Sequence, residues 1–398
     1  QFFGLNLMTQ HNYNDSIEAC AAHYGDEAEA VKTYMQEGLK QALRLPNRGP
    51  IQFLKNGALH PEIREAYSKY GFYVFEGVVT AQEMSDVRQD IDEVRSRFAT
   101  HPDSKLDARG RPALGCDCKG PGLKWSKALS DPLGGTDVAN GRHQIKLKEL
   151  KASADAPEYA PFVLVGSLQF SEAALRLYGH PELLRVAAEV NGEDFAPFNE
   201  VLFIKDAGVG SAVSWHQDGD THWNNPDFDE DIHGFNFMAQ VYQSTPVNGV
   251  WVVPGTHKQG KLDIKAMVRS AGGERLTDAL PIVCEPGDVV MCNRQLVHGS
   301  FANAGFEPRL TINFGFHRRS SVLDVMGAGI HSPAAIYDKD VIKKRSRVIG
   351  YAIDARQRQY PHEKPYDYKP FMEIDKTYKW DSAAKADLRD YNLQDLSI

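Results

Sequence analysis

The sequence predicts an α+β protein, mainly β, with a core of short strands arranged as a sandwich or barrel. Between residues 200 and 316, runs of β-prone residues alternate with turns that contain Gly and Pro, which is typical of such a core within one domain. Residues 1–60 look helical instead, which indicates helical support at the N-terminus. Residues 319–398 are first basic and then rich in Tyr and Pro, as expected of a C-terminal extension that packs on the core.

The first part of the chain carries clear helix signals. A helical pattern over residues 28–45 ends at Pro46, because proline cannot continue a helix and restrains the residue before it. A β run over residues 70–79 follows. Then Thr80 and Glu83 form a capping box in front of an amphipathic helix. This helix would bury one apolar face, formed by Met84, Val87, Ile91 and Val94.

The middle of the chain is less regular. Residues 100–160 are rich in Gly, Pro, Lys and Asp and have few periodic stretches, so we expect long loops that could cover a site. Two short helices follow. Ser171 can cap the first, and Pro181 suits the first helical position of the second.

The last strand of the β core predicts where a site would lie. Alternate residues of a strand point to opposite faces of the sheet. One face of residues 309–316 would therefore be polar, with Arg309, Thr311, Asn313 and Gly315, and the other would be apolar, with Leu310, Ile312, Phe314 and Phe316. A polar row that faces inward indicates a barrel whose interior is a site.

The bulk composition excludes some classes of function. The 398 residues carry a formal net charge of −8, so no basic surface supports binding to nucleic acid. No apolar run approaches the roughly 18 residues that a membrane span needs. Five cysteines, an odd number, suit free thiols in a reducing compartment, and the first ten residues lack the features of a signal peptide. We therefore expect a cytoplasmic protein.

A possible metal site begins at His216 and Asp218. On a strand, residues two apart share a face and lie about 6.6 Å apart. With His298 supplied by a later β unit, they would form a two-histidine, one-carboxylate facial triad, which non-haem Fe(II) oxygenases use. Arg309 follows 11 residues after His298, and arginine is the natural partner of a small dicarboxylate, since its planar fork binds a carboxylate bidentately.

Several motifs in this order resemble the phytanoyl-CoA dioxygenase-type, Fe(II)- and 2-oxoglutarate-dependent oxygenases. They are Trp215-His216-Gln217-Asp218, Asn248-Gly249, Pro254-Gly255-Thr256-His257-Lys258, Pro286-Gly287-Asp288 and His298 followed by Arg309. The resemblance covers roughly residues 65–318. It implies a cupin-like jelly roll (double-stranded β-helix) domain there, an N-terminal helical extension over 1–64 and a C-terminal extension over 319–398.

The resemblance also implies the roles of individual residues. His216, Asp218 and His298 would hold Fe(II), and Arg309 would bind the distal carboxylate of 2-oxoglutarate. Ser300, Thr311 and Lys205 would assist Arg309. With O2, such an enzyme converts 2-oxoglutarate to succinate and CO2 and oxidises, most simply hydroxylates, a small organic molecule, as in secondary metabolism. Trp223, Gln240 and Tyr242 are candidates to contact that molecule.

Alternatives to this hypothesis remain open from the residues alone. His216 and Asp218 could be a structural pair, or the barrel could be a Zn- or Mn-dependent hydrolase or isomerase, or a metal-binding module without activity. Desaturation, epoxidation and ring closure depend on how the substrate is placed. The acids of the loop over residues 219–234 would favour a cationic substrate if the loop closes over the pocket, although a solvated acidic loop is the simpler interpretation.

Overall fold

A computed structural model describes residues 7–120, 122–219, 223, 234–327, 335–371 and 378–396. The helices are α1 (Leu7–Ala22), α2 (Ala28–Ala42), α3 (Pro61–Tyr70), α4 (Ala81–Ser96), α5 (Glu172–Tyr178), α6 (Pro181–Asn191), α7 (Ile264–Ala271), α8 (Arg319–Val322), α9 (Lys339–Gln359) and α10 (Ser382–Asp387). The strands are β1 (Arg48–Gly49), β2 (Phe72–Phe75), β3 (Leu123–Lys127), β4 (Tyr159–Val165), β5 (Ala196–Lys205), β6 (Val213–His216), β7 (Phe235–Gln240), β8 (Trp251–Val252), β9 (Leu280–Pro281), β10 (Val289–Asn293), β11 (His298–Ser300), β12 (Arg309–His317), β13 (Val325–Gly327) and β14 (Ala335–Tyr337).

Two sheets form the centre of the protein. Within the described residues, the large sheet has the strand order β1-β2-β10-β7-β12-β5-β4-β3, and the small sheet has the order β6-β11-β8-β9. All neighbouring strands of both sheets are antiparallel except β1 and β2. Side chains from both sheets line one cavity. This arrangement confirms the predicted mixed fold with a double-stranded β-helix core.

The alternation of β12 separates the cavity from the main hydrophobic core, as predicted. Arg309, Thr311 and Asn313 line the cavity. The intervening apolar residues of β12 are buried in a core shared with α4, α5, α6 and α9. The apolar face of α4 lies in the same core. Each Å² of apolar surface buried in this core contributes roughly 25 cal/mol to the stability of the large sheet.

Helices α1 and α2 cover the outer face of the small sheet. The ring of Tyr34 stacks on that of Trp251 with their centroids 4.7 Å apart, and Ile17 and Met35 are buried beside them. A Cβ at Gly38 would lie 2.7 Å from the Trp251 ring, so a glycine is needed where α2 crosses β8. These helices therefore support the sheet that carries β6 and β11.

Some local predictions need correction. Residues 100–160 contain β3 and the start of β4, which extend the edge of the large sheet. Thr80 caps α4 as predicted, and its hydroxyl accepts a hydrogen bond from the Glu83 backbone N–H. The Glu83 carboxylate, however, pairs with Arg356 of α9 at 2.7 Å, which joins the C-terminal segment to the core.

None of the described helices combines the length and the apolar character needed to cross a membrane. The division at residues 64 and 318 stays a prediction.

Candidate active site

The three predicted metal ligands converge at the end of the small sheet. His216 ends β6 and His298 begins β11, and the two are direct partners in the antiparallel register. Their ring centroids are 4.1 Å apart. Asp218 follows just beyond β6, and one ligand atom from each of the three residues lies within 4.8 Å of the other two. Gly299 allows this close approach, since a Cβ there would lie 3.0 Å from the Val213 carbonyl oxygen.

The hydrogen bonds of the two histidines suit metal binding. The Nδ1 atoms of His216 and His298 each lie 2.8 Å from a backbone carbonyl oxygen, that of Ser214 and that of Leu296. If each Nδ1–H donates to its carbonyl, each Nε2 lone pair is available to a metal ion. Burial lowers the pKa of His216 well below its usual range, so the imidazole is neutral. Asp218 Oδ1 is buried and has no hydrogen bond within the described residues. These features fit a divalent metal ion.

Two residues from the irregular segment before β4 also reach the ligands. The Arg142 Nη2 atom lies 3.4 Å from Asp218 Oδ1, and the His143 ring lies 4.2 Å from that of His216. Burial alone would raise the pKa of Asp218, but the nearby positive charge, that of Arg142 above all, reverses this effect and holds it well below its usual range. Burial, reinforced by Arg142, lowers the pKa of His143 to about 3, so its ring is neutral.

A second group of predicted residues forms a basic end of the cavity. Lys205 on β5 and Arg309 on β12 are direct partners in the register, and both are at least 97% buried. Lys205 Nζ donates to Ser300 Oγ at 3.0 Å and to the Phe301 carbonyl oxygen. Arg309 Nε donates to Thr311 Oγ1 at 3.0 Å. Burial lowers the pKa of Lys205 well below its usual range and that of Arg309 to about 10.

No described carboxylate pairs with either of these cations. Asp218 is the single carboxylate among the described residues that line the cavity, and it lies with the two histidines. Two neighbouring buried basic side chains without a described counter-ion are costly to hold in charged form, and an anion bound between them would stabilise the positive charge of both. The basic end therefore has the chemistry of a carboxylate-binding site.

A family model described as phytanoyl-CoA dioxygenase (PhyH) matches residues 67–311, which is more than half of the chain. The chain belongs to the PhyH family. It is thus an oxygenase that depends on non-haem iron and 2-oxoglutarate, with O2 as the usual co-substrate. A search of curated proteins finds no match.

Solved structures with a related fold are remote in sequence. AviO1 from Streptomyces viridochromogenes Tue57 is 21% identical, with 64% of this chain and 92% of that chain covered and a TM-score of 0.42. EctD from S. alaskensis, solved with 2-oxoglutarate and 5-hydroxyectoine, is 18% identical over 71% of this chain and 84% of that chain, with a TM-score of 0.48. The α-ketoglutarate-dependent carbocyclase SnoK from nogalamycin biosynthesis is 16% identical over 67% and 86%, with a TM-score of 0.43. These similarities are too remote to assign a substrate to this PhyH-family chain.

The three predicted substrate contacts lie in different places. Gln240 does not line the cavity itself. Its Oε1 accepts a hydrogen bond from Thr311 Oγ1 at 3.0 Å, which orients the hydroxyl that accepts from Arg309. Tyr242 lies beyond the end of β7, so the alternation of that strand does not extend to it. Its ring packs under the Arg88 guanidinium on the helical side and does not line the cavity. Trp223 is partly buried, and the acids of its loop lie outside the described residues.

Sequence reasoning missed part of the site in this PhyH-family chain. Arg142 and His143 were not identified, because no periodic pattern surrounds them; the only signal was the expectation that their loop could cover a site. Asn199, Asn236 and Asn293 were also missed, although they line the cavity together with Asn313. The alternation of polar and apolar residues along β7 could have indicated Asn236.

Proposed function

We propose that this protein hydroxylates a small organic molecule, with Fe(II) bound by His216, Asp218 and His298 and 2-oxoglutarate bound at Arg309. The observation that carries the proposal is the pair of buried basic side chains, Lys205 and Arg309, which line the same cavity as the three converging metal ligands. A hydrolase or isomerase built on the same ligands would have no use for that pair.

The distance between the metal ligands and the basic end of the cavity supports 2-oxoglutarate as the cosubstrate. Ser300 bonds to Lys205, and His298 lies two residues before Ser300 on β11. That step is about 6.6 Å along a strand. A five-carbon diacid can span such a distance, with its keto-acid end at the metal and its distal carboxylate at the basic end. Arg309 would hold this carboxylate through Nη2, since its Nε is bonded to Thr311 and its Nη1 to the Asn248 carbonyl oxygen.

The residues then have separable tasks. The bound iron, with 2-oxoglutarate and O2, supplies the oxidation, and 2-oxoglutarate leaves as succinate and CO2. His216 and His298 present Nε2 because their Nδ1 atoms face carbonyl oxygens. Arg142 keeps Asp218 ionised at the pH of the cell. The buried walls exclude water, so that a substrate C–H bond is the group that reacts.

An anaerobic titration tests the proposal. Addition of Fe(II) and 2-oxoglutarate to the protein without O2 should produce the weak visible metal-to-ligand charge-transfer band of the ternary complex. Admission of O2 should then release succinate. His298→Ala should abolish the band, whereas His101→Ala, a change at a half-exposed histidine, should leave it unchanged. Turnover with Zn(II) in the absence of O2 would instead support a hydrolase or isomerase.

A further inference from the structure

Four asparagines line one end of the cavity. They come from four consecutive strands of the large sheet: Asn293 from β10, Asn236 from β7, Asn313 from β12 and Asn199 from β5. The most exposed of them, Asn236, has 7% of its surface exposed, and Asn293 is fully buried. We call this group the carboxamide end.

Three of the four side chains have an unsatisfied polar atom. Within the described part of the chain, the Oδ1 atoms of Asn199, Asn236 and Asn313 are buried and have no hydrogen-bond partner. Asn293 instead accepts a hydrogen bond from the Gln295 backbone N–H through Oδ1 and faces the Tyr67 hydroxyl with Nδ2. Buried polar groups in folded proteins nearly always have one. A cluster of unsatisfied amides that all line one cavity therefore indicates a ligand, or ordered water, that bonds to them.

The carboxamide end lies away from the proposed 2-oxoglutarate site. Asn313 is four residues along β12 from Arg309, roughly 13 Å. Asn293 precedes Arg294, whose carbonyl oxygen accepts a hydrogen bond from the Asp218 backbone N–H at 2.7 Å. The asparagines thus begin on the Asp218 side of the metal ligands, opposite the basic end. A substrate whose C–H bond faces the metal would contact them.

The chemistry of this end selects among substrate classes. A carboxamide is neutral and offers an NH2 group as donor and a carbonyl oxygen as acceptor. A half-turn of the side-chain amide exchanges the positions of these two groups. Asp218 is the single carboxylate of the described lining, and it faces Arg142 and the histidines, so an ammonium group would find no free counter-ion among the described residues. An apolar substrate would leave the amides of Asn199, Asn236 and Asn313 unsatisfied. Hydroxyl groups, which also donate and accept, match all three.

We propose that the carboxamide end binds a neutral, multiply hydroxylated substrate, such as a cyclic polyol or a glycoside, whose hydroxyl groups donate hydrogen bonds to the side-chain oxygens of Asn199, Asn236 and Asn313. This inference rests on the proposed function, because 2-oxoglutarate then occupies the other end. Arg142, whose Nε and Nη1 atoms are buried without partners among the described residues, offers the rival possibility of an anionic substrate, which the test must distinguish.

The test uses the full-length protein loaded with Fe(II) and 2-oxoglutarate. Succinate release is measured with ring compounds of similar size: myo-inositol and methyl glucoside, cyclohexanecarboxylate, cyclohexylamine and cyclohexanol. The polyol or the glycoside should stimulate release, and the other three should not. Stimulation by the carboxylate or the amine, equal stimulation by cyclohexanol, or no response to either hydroxylated compound would overturn the inference.

Variants connect the response to the asparagines. Asn313→Leu and Asn199→Leu each keep the side-chain size, and each should raise the KM for the stimulating compound at least tenfold, the loss expected for one to two hydrogen bonds. The charge-transfer band should persist in both. Asn14→Leu, at an exposed asparagine, should have no effect. If one variant does not fold, the other variant and the ring compounds tested with the wild-type protein still test the inference.

The two proposals fail in different ways. Absence of the charge-transfer band in the wild-type protein would refute the proposed function, and the inference with it. A normal band without a response to hydroxylated compounds would refute the inference alone. A structure of the loaded protein with only ordered water on the amides of Asn199, Asn236 and Asn313, unchanged when the hydroxylated compounds are added, would also refute it.

Discussion

Replacement of Arg309 by glutamine tests the proposed binding of 2-oxoglutarate. The Arg309 Nε and Nη1 atoms each donate one hydrogen bond of 3.0 Å, to Thr311 Oγ1 and to the Asn248 carbonyl oxygen. Nη2 makes no bond to the described residues and is free to meet a carboxylate. Glutamine keeps a shorter amide donor but removes the charge and this third contact.

The expected magnitude follows from the lost contact. A hydrogen bond to a charged group contributes about 1.5–3 kcal/mol, so the Kd for 2-oxoglutarate should rise about 10- to 150-fold in Arg309→Gln. The stability of the ligand-free protein should not fall by a similar amount, because the substitution also removes a buried cation that has no described counter-ion. Added 2-oxoglutarate should therefore raise the Tm of the wild-type protein much more than that of the variant.

The assay is an anaerobic 2-oxoglutarate titration at saturating Fe(II), followed by the charge-transfer band, with Tm measured in parallel. Arg269→Gln is the matched control, since Arg269 is exposed and forms only a 3.7 Å surface pair with Asp263. A Kd for Arg309→Gln within threefold of the wild-type value would refute the reasoning. So would equal Tm gains in the two proteins.

Three further predictions concern other parts of the molecule. Asp218→Ala should weaken Fe(II) binding at least tenfold in an anaerobic titration, and unchanged binding would contradict its role as a ligand. Arg356→Met should lower the free energy of unfolding in urea by about 3–5 kcal/mol, because Glu83 then stays buried without its cation; a loss no larger than that of Arg358→Met, at an exposed arginine, would contradict this. Burial raises the pKa of Glu200 from 4.5 to about 7 in the folded protein, so the stability that its proton contributes is complete below pH 4.5 and is lost as the pH rises through about 7. Glu200→Gln should remove this pH dependence of the free energy of unfolding, which amounts to at most about 3 kcal/mol, and an unchanged dependence would contradict this role of Glu200.

Much of the fold and of the metal site was predictable because it depends on local periodicity. The alternation along β12 separated Arg309 and Thr311 from the apolar residues that pack on the helices, and the structure confirms it. This feature needs only the geometry of a single strand, which a short segment of sequence specifies. The strand spacing assumed for His216 and Asp218 was wrong, because β6 ends at His216 and Asp218 lies just beyond it, although their ligand atoms do converge.

The carboxamide end and Arg142 could not be found in this way. The four asparagines meet only because β10, β7, β12 and β5 are consecutive neighbours in the large sheet, and that strand order joins segments far apart in the chain. Arg142 reaches Asp218 from a segment without a periodic pattern. The predicted position of Tyr242 was wrong because a local pattern was extended too far. Strand β7 ends at Gln240, so its alternation does not continue to Tyr242.

The most direct measurement is an anaerobic crystal structure of the protein loaded with Fe(II) and 2-oxoglutarate. We expect one metal ion bound by Nε2 of His216, Nε2 of His298 and the Asp218 carboxylate, with the distal carboxylate of 2-oxoglutarate on Arg309. A metal ion bound away from these three side chains, or a diacid bound away from Arg309, would contradict the proposed site.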